Sequence, residues 1–245
     1  MIDFTINVAE KNILFHVSYS SSKKFCSRYL TDNPADLEIT IGTEDLAKER
    51  EKLKLIDAGA SLFSNPNLER LSMHRKLADQ MLDYNTLLFH GSVIAVDGKA
   101  YMFVASSGTG KSTHSRIWRE NLSDQHEVFM VNDDKPFLKV TDNQVIAFGS
   151  PWDGKHRLSR NVGVPLAAIA KLERGTTNFI EPMKREDRIK QFVSGAYIPK
   201  STAPRLKAIQ LLYDAVICRV PCYRLQCNME PAAAFVSYKG MSDNK

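Results

Sequence analysis

The stretch "YMFVASSGTGKSTHSRIWREN", Tyr101 to Asn121, limits the possible folds more than any other part of the chain. "YMFVA" reads as a buried strand, "SSGTGKST" as a turn-rich loop and "HSRIWREN" as a helix, so the loop must sit where a sheet ends and a helix begins. Ala105 to Ser112 follows the form A-x-x-x-x-G-K-S, the phosphate-loop pattern with alanine in place of its first glycine. Gly108 and Gly110 let the backbone curl so that successive N–H groups can face phosphate oxygens, and the helix N-terminus adds partial positive charge. Lys111 would reach the terminal phosphates as a point charge, and the Ser112 hydroxyl would ligate a bridging magnesium ion. Ser106, Ser107, Thr109 and Thr113 complete the nucleotide-binding segment. The plainer alternative is a Gly/Ser turn carrying a solvated lysine.

Two flanking features bear on this loop. Upstream, "TLLFHGSVIAV" and "KAYMFVA" flank Asp97-Gly98, a dipeptide suited to the two positive φ angles of a tight hairpin, so His90 lies one hairpin before the loop and can fold back beside a terminal phosphate. Downstream, "VFMVNDD" reads as an apolar strand with Asp133 and Asp134 at its tip. Paired carboxylates can divide labour, one ligating metal and the other accepting a proton from an attacking hydroxyl. Read structurally, Asn-Asp-Asp is a turn and His90 a hydrogen-bonded strand end.

The rest of the chain supports a mixed α+β protein without a strict βαβ rhythm. "DFTINV", "NILFHVSY" and "LEITIG" read as strands of a small opening sheet. Thr43 is expected to cap a helix with Glu44 and Asp45 in its first turn, and Asn65-Pro66 to open a second helix running to about Tyr84. The buried stripe of that helix is expected to comprise Leu68, Leu71, Ala78, Met81 and Leu82. Past the aspartates come a hairpin turning at Asp142-Asn143, a strand "PLAAIAKL" and a helix from Arg185 to Val193. An amphipathic helix from about Pro204 carries Leu206, Ile209, Tyr213, Val216 and Ile217, and a strand "CYRLQC" and a closing helix follow. Residues 1–85 form an expected N-terminal α+β portion and residues 86–245 an ATP-binding catalytic domain.

Composition excludes several classes. With 43% hydrophobic and 25% charged residues, the chain is expected to be globular rather than disordered. The net charge of +5 is spread along the chain with no basic stripe, so nucleic acid is not an expected partner. No window approaches a membrane span, and the start "MIDFTINVAE" lacks the pattern of a secretory signal; the expected location is the cytoplasm. Cys26, Cys218, Cys222 and Cys227 lack a completing ligand pair for zinc and read as buried, reduced thiols.

"HGSVIAVDGKAYMFVASSGTGKST" followed by "VNDD" resembles the catalytic domain of HPr kinase/phosphorylase, in which a His-Gly, a phosphate loop and an Asp pair occur in this order. "SGTGKST" with the Asp pair also resembles ATP-dependent phosphoenolpyruvate carboxykinase. The resemblance covers about residues 86–140 well and continues more loosely to the C-terminus. It implies a phosphate-loop core with mixed sheets and use of ATP and magnesium. It also implies that Asp133 deprotonates the acceptor hydroxyl, that Asp134 lies nearer the metal, and that His90 belongs to the same network. In the carboxykinase the matching histidine sits at the second metal, so the roles within this trio stay open. The acidic motif that HPr kinases carry after the aspartate pair has no assignable match, and the first 85 residues do not match their regulatory domain. Hexamers occur in that family, so a homo-oligomer is a possible partner state.

A second basic segment, "GSPWDGKHRLSRN", offers Lys155 and Arg160 as cations that can close over a transferring phosphoryl group, with Asp153 as an extra metal ligand. These read equally as solvated loop charges. The expected activity is phosphoryl transfer from ATP to a hydroxyl of serine or threonine in a peptide or protein, or of free serine. The rivals are a small-molecule phosphotransferase of carboxykinase type and an ATP-binding regulatory or scaffold protein without turnover.

Overall fold

The computed structural model describes residues 1–55, 63–195, 197 and 203–243. The chain divides into two compact units, Met1–Met81 and Leu82–Lys245.

The first unit opens with a hairpin of β1 (Ile2–Val8) and β2 (Lys11–Val17), whose alternating residues Phe4, Ile6, Ile13 and Phe15 are buried, as period-two patterning requires. The short helix α1 (Ser20–Phe25) follows, then β3 (Leu37–Thr40), which pairs parallel to β2. Helices α2 (Thr43–Lys54) and α3 (Asn65–Met81) pack on one another. Gly42, not Thr43, occupies the N-cap of α2. Glycine has no capping side chain, so the stabilising contact is the reciprocal one, with Gly42 N donating to Asp45 Oδ2 at 2.9 Å. In α3 the first carbonyl to accept is that of Ser64, from Asn67 N and Leu68 N, so Asn65 already lies inside the helix and its side chain takes a hydrogen bond from Arg50. The α-helix stops at Met81, and Leu82–Tyr84 tighten into a 3-10 turn. Leu71 is only half-buried, whereas Glu69 is fully buried and accepts from Ser18 N, Tyr19 N and the Ser22 hydroxyl at the start of α1.

The second unit is built on a nine-stranded mixed sheet among the described residues. The expected single strand before the hairpin is divided into β4 (Thr86–Leu88) and β5 (Ser92–Val96), because Phe89–Gly91 carry the chain from one region of the sheet to another. Next come β6 (Lys99–Val104), α4 (Lys111–Leu122), β7 (Val128–Asn132), β8 (Phe137–Val140) and β9 (Val145–Phe148). The long β10 (Gly163–Arg174) pairs antiparallel to β9 through its first residues and parallel to β6 further on. The remaining elements are β11 (Phe179–Pro182), absent from the sequence reading, then α5 (Arg185–Gly195), α6 (Ala203–Arg219), β12 (Cys222–Cys227) and α7 (Ala232–Ser242). Asp97 and Gly98 form the β5–β6 turn with φ of 48° and 74°, as the sequence predicts.

Both faces of the central strands are buried, which explains their nearly continuous apolar runs. Val93, Ala95, Met102 and Val104 pack with Ile209, Tyr213, Val216 and Ile217 of α6. On the opposite face, Ile94, Val96, Tyr101 and Phe103 pack with Ile117 and Trp118 of α4 and with Ala233, Ala234 and Met241 of α7. Leu206 is exposed at the start of α6, outside its apolar stripe. Cys26, Cys222 and Cys227 are buried, but Cys218 is exposed because it lies on the outer face of α6. No helix among the described residues is long and apolar enough to cross a membrane.

Candidate functional site

Strand register brings the site together. β5 runs antiparallel to both neighbours, pairing Ser92 with Phe103 of β6 and Val93 with Asn132 of β7. The start of β5 therefore meets the ends of β6 and β7 on one sheet edge, and His90, the loop Ala105–Gly110 and Asp133 leave from there. β10 pairs Lys171 with Val104, so Glu173 and Arg174 extend beside the same loop.

Gly108 and Gly110 adopt φ of 77° and 121°, conformations open to glycine at little cost. A Cβ added at either would meet nothing within 4 Å, so conformation, not crowding, requires the glycines. Helix α4 starts at Lys111, directly after Gly110. Lys111 is 8% exposed as a residue, and its ammonium donates to the Ala105 carbonyl at 2.9 Å. Burial lowers its pKa, opposed by the charges of Asp134 and Asp133. The Arg174 guanidinium braces the loop from outside, donating to the Thr109 carbonyl at 3.1 Å and to the Gly108 carbonyl. No sequence signal marked Arg174.

Asp133 faces the first turn of α4. Its Oδ1 accepts from the Ser92 hydroxyl at 2.7 Å, Ser92 is 2.7 Å from the Ser115 hydroxyl, and Ser112 also hydrogen-bonds to the carboxylate. Burial raises the Asp133 pKa; the Ser92 and Ser112 hydrogen bonds oppose the rise, and the negative charges of Asp153 and Asp134 add to it. Asp134 is more open, with Oδ1 3.3 Å from His90 Nε2 and 3.6 Å from Lys135 Nζ. Its backbone is set by the fully buried Asn132, whose Oδ1 accepts from Asp134 N and Lys135 N and whose Nδ2 donates to the Ser150 carbonyl. The "VNDD" segment thus forms a built turn that presents two carboxylates in different environments.

The segment after β9 divides the residues that the sequence grouped together. Asp153 accepts from Asp133 N, Gly154 N and Ser159 N, so both of its oxygens already hold backbone. Gly154 packs so closely on Asp133 that an added Cβ would lie 2.7 Å from Oδ2. Lys155 lines a cavity of about 550 Å³ with Ser112, Thr113 and Asp133. The Arg160 guanidinium instead lies over the Phe129 ring at 4.5 Å. Ser106, Ser107, Gly108, Thr109 and His90 line another cavity, of about 670 Å³, that reaches Glu173 and Arg174. Gly110 and Thr113 border a third, of about 410 Å³, beside His114, Ile117 and Cys227.

The sequence reading missed Ser92, Asn132, Asp153 as a strut and Arg174. Each acts through a partner distant in the chain. As a whole, the arrangement sets one buried carboxylate of raised proton affinity and one half-open carboxylate next to a glycine loop, a buried ammonium and a helix N-terminus. Such a site can hold an anion and take a proton beside it.

No family model and no curated protein matches the sequence. Among solved structures, the chain is similar to the HPr(Ser) kinase/phosphatase from Coxiella burnetii at 12% identity, covering 63% of this chain and 94% of that chain with a TM-score of 0.36. A likeness of that extent identifies neither a family nor an activity.

Proposed function

We propose that the Leu82–Lys245 unit is an HPr-kinase-like phosphotransferase that uses ATP and magnesium to phosphorylate a hydroxyl, that of serine or threonine in a peptide or protein or of free serine. The observation that carries this reading is the buried Asp133 carboxylate, hydrogen-bonded to Ser112 in the turn where the glycine loop becomes α4. A triphosphate fits the residues present, since the loop has two positive-φ glycines with open space above them and a lysine that donates to the loop's own Ala105 carbonyl. Ser112 and Asp134 are the oxygen donors that would hold magnesium. Magnesium supplies neutralisation of phosphate charge when bound.

The chain's own residues account for the remaining roles. Loop N–H groups and Lys111 bind and orient the phosphates, and Arg174 keeps the loop in shape. Asp133 takes the acceptor's proton as the acceptor oxygen bonds to the terminal phosphorus, while the electrons of the old bridging bond leave with the diphosphate. Its raised proton affinity suits a base, and the Ser92 hydroxyl fixes its orientation. His90, beside Asp134, orders the more open carboxylate.

The test is transfer of labelled γ-phosphate from ATP to free serine, serine peptides and carrier proteins. Asp133→Asn is expected to bind ATP like the parent and to transfer about 10²- to 10⁴-fold more slowly. Parental transfer by that variant, or parental ATP binding by Lys111→Ala, would overturn the proposal. ATP binding without transfer to any acceptor would favour a regulatory nucleotide-binding protein.

A further inference from the structure

The cavity on the α4 side of Asp133 has a wall chemistry that the phosphate-binding loop does not explain. Its volume is about 550 Å³, and it is lined by Ser112, Thr113, Asp133, Arg116, Arg119 and Lys155, among others. Arg116, Arg119 and Lys155 therefore line a space that contains one carboxylate, and that carboxylate is the one placed to receive a proton. Arg116 is held by Glu120 at 2.8 and 2.9 Å. Arg119 differs: its Nε is buried and, among the described residues, has no hydrogen-bond partner, an uncommon and costly state for a guanidinium nitrogen. Lys155 is exposed and, among the described residues, makes no hydrogen bond or ion pair.

We infer that this cavity is the acceptor site and that the acceptor carries its own anionic group, a carboxylate or a phosphate, which Arg119 and Lys155 bind while its hydroxyl meets Asp133. The inference rests on the phosphotransfer reading above and narrows its substrate class. An anion balances the charges of Arg119 and Lys155 that line the cavity, whereas a neutral acceptor leaves them uncompensated. The same charges tie the acceptor down in the cavity that Asp133 lines, so the hydroxyl is held rather than merely admitted. Charge-assisted contacts of this kind set selectivity, because an uncharged isostere forfeits them.

The experiment uses the full chain and matched serine peptides that end in a free carboxylate, end in an amide, or carry a phosphoserine next to the acceptor serine. Equilibrium binding and γ-phosphate transfer are both read. A preference of about tenfold or more for the carboxylate or phosphate peptides over the amide is expected in binding and in transfer, and the stronger of the two identifies the anion. Arg119→Gln is expected to reduce that preference to within about twofold. Lys155→Gln, a change at an exposed side chain, should reduce it in the same direction. Equal binding of all three peptides, or a preference untouched by both substitutions, would overturn the inference even if transfer proceeds. Retention of the preference and its loss in Arg119→Gln, with no transfer to any peptide, would leave the anion site standing and remove the phosphotransfer reading.

Discussion

At the residue scale, Asp133 combines a structural cost with the role of base proposed for it. Its pKa is raised in the folded chain, chiefly by burial. Between the ordinary carboxylate value and the raised one, the folded state holds more protons than the unfolded state, so stability falls as pH rises through that window. Asp133→Asn removes the buried charge and keeps an oxygen for Ser92, so it should melt at a higher temperature than the parent at about pH 7. The gap should narrow toward about pH 4, where the parent carboxyl becomes neutral. Thermal melts at the two pH values check this, and a variant less stable than the parent at neutral pH would contradict it. As the base of the proposed transfer, Asp133 would have to be ionised, so the acid limb of the transfer rate is expected above the ordinary aspartate value of about 3.9. His90, Lys111, Asp133 and Asp134 were legible in the sequence because a loop motif and a strand end mark them locally. Ser92, Asn132 and Arg174 were not, since they hydrogen-bond to Asp133, Ser150 and Thr109, distant partners that no local pattern announces.

At the scale of elements, the loop and the Gly154 turn make different demands on glycine. Gly110 has a φ of 121°, so Gly110→Ala should cost about 1–3 kcal/mol of stability and weaken nucleotide binding, as melting and equilibrium binding would report. Gly154 is needed for space: a methyl group there would meet Asp133 Oδ2 at 2.7 Å. Gly154→Ala should keep nucleotide binding and lower transfer by on the order of 10²-fold, because a displacement of about 1 Å at a reacting group costs that much. Unchanged transfer would mean that Asp133 does not need its observed position. Most helices and strands followed from periodicity and turn residues, including both hairpins after residue 90. The split of β4 from β5 did not, because apolar patterning is the same on either side of His90 and only the pairing partners differ.

For the whole molecule, each unit has a core of its own, with Ile6, Ile13, Phe15 and Ile39 buried in the first and two packed sheet faces in the second. A polypeptide of residues 82–245 is therefore expected to unfold in one cooperative transition and to bind ATP like the full chain, with circular dichroism melting and equilibrium binding as the measurements. Aggregation or loss of binding would show that residues 1–81 are required. What the sequence determined alone was local: a strand, a glycine loop and a helix in succession, a tight hairpin before them and a carboxylate pair after an apolar strand. These follow from backbone preferences and side-chain period over a few residues. Tertiary structure decided that β5 lies between β6 and β7 in a register joining their ends, that Ser92 and Ser112 hold Asp133, and that Arg119 and Lys155 share a cavity with it. Those outcomes depend on pairings between residues far apart in the chain, where burial and register rather than local propensity set the energy.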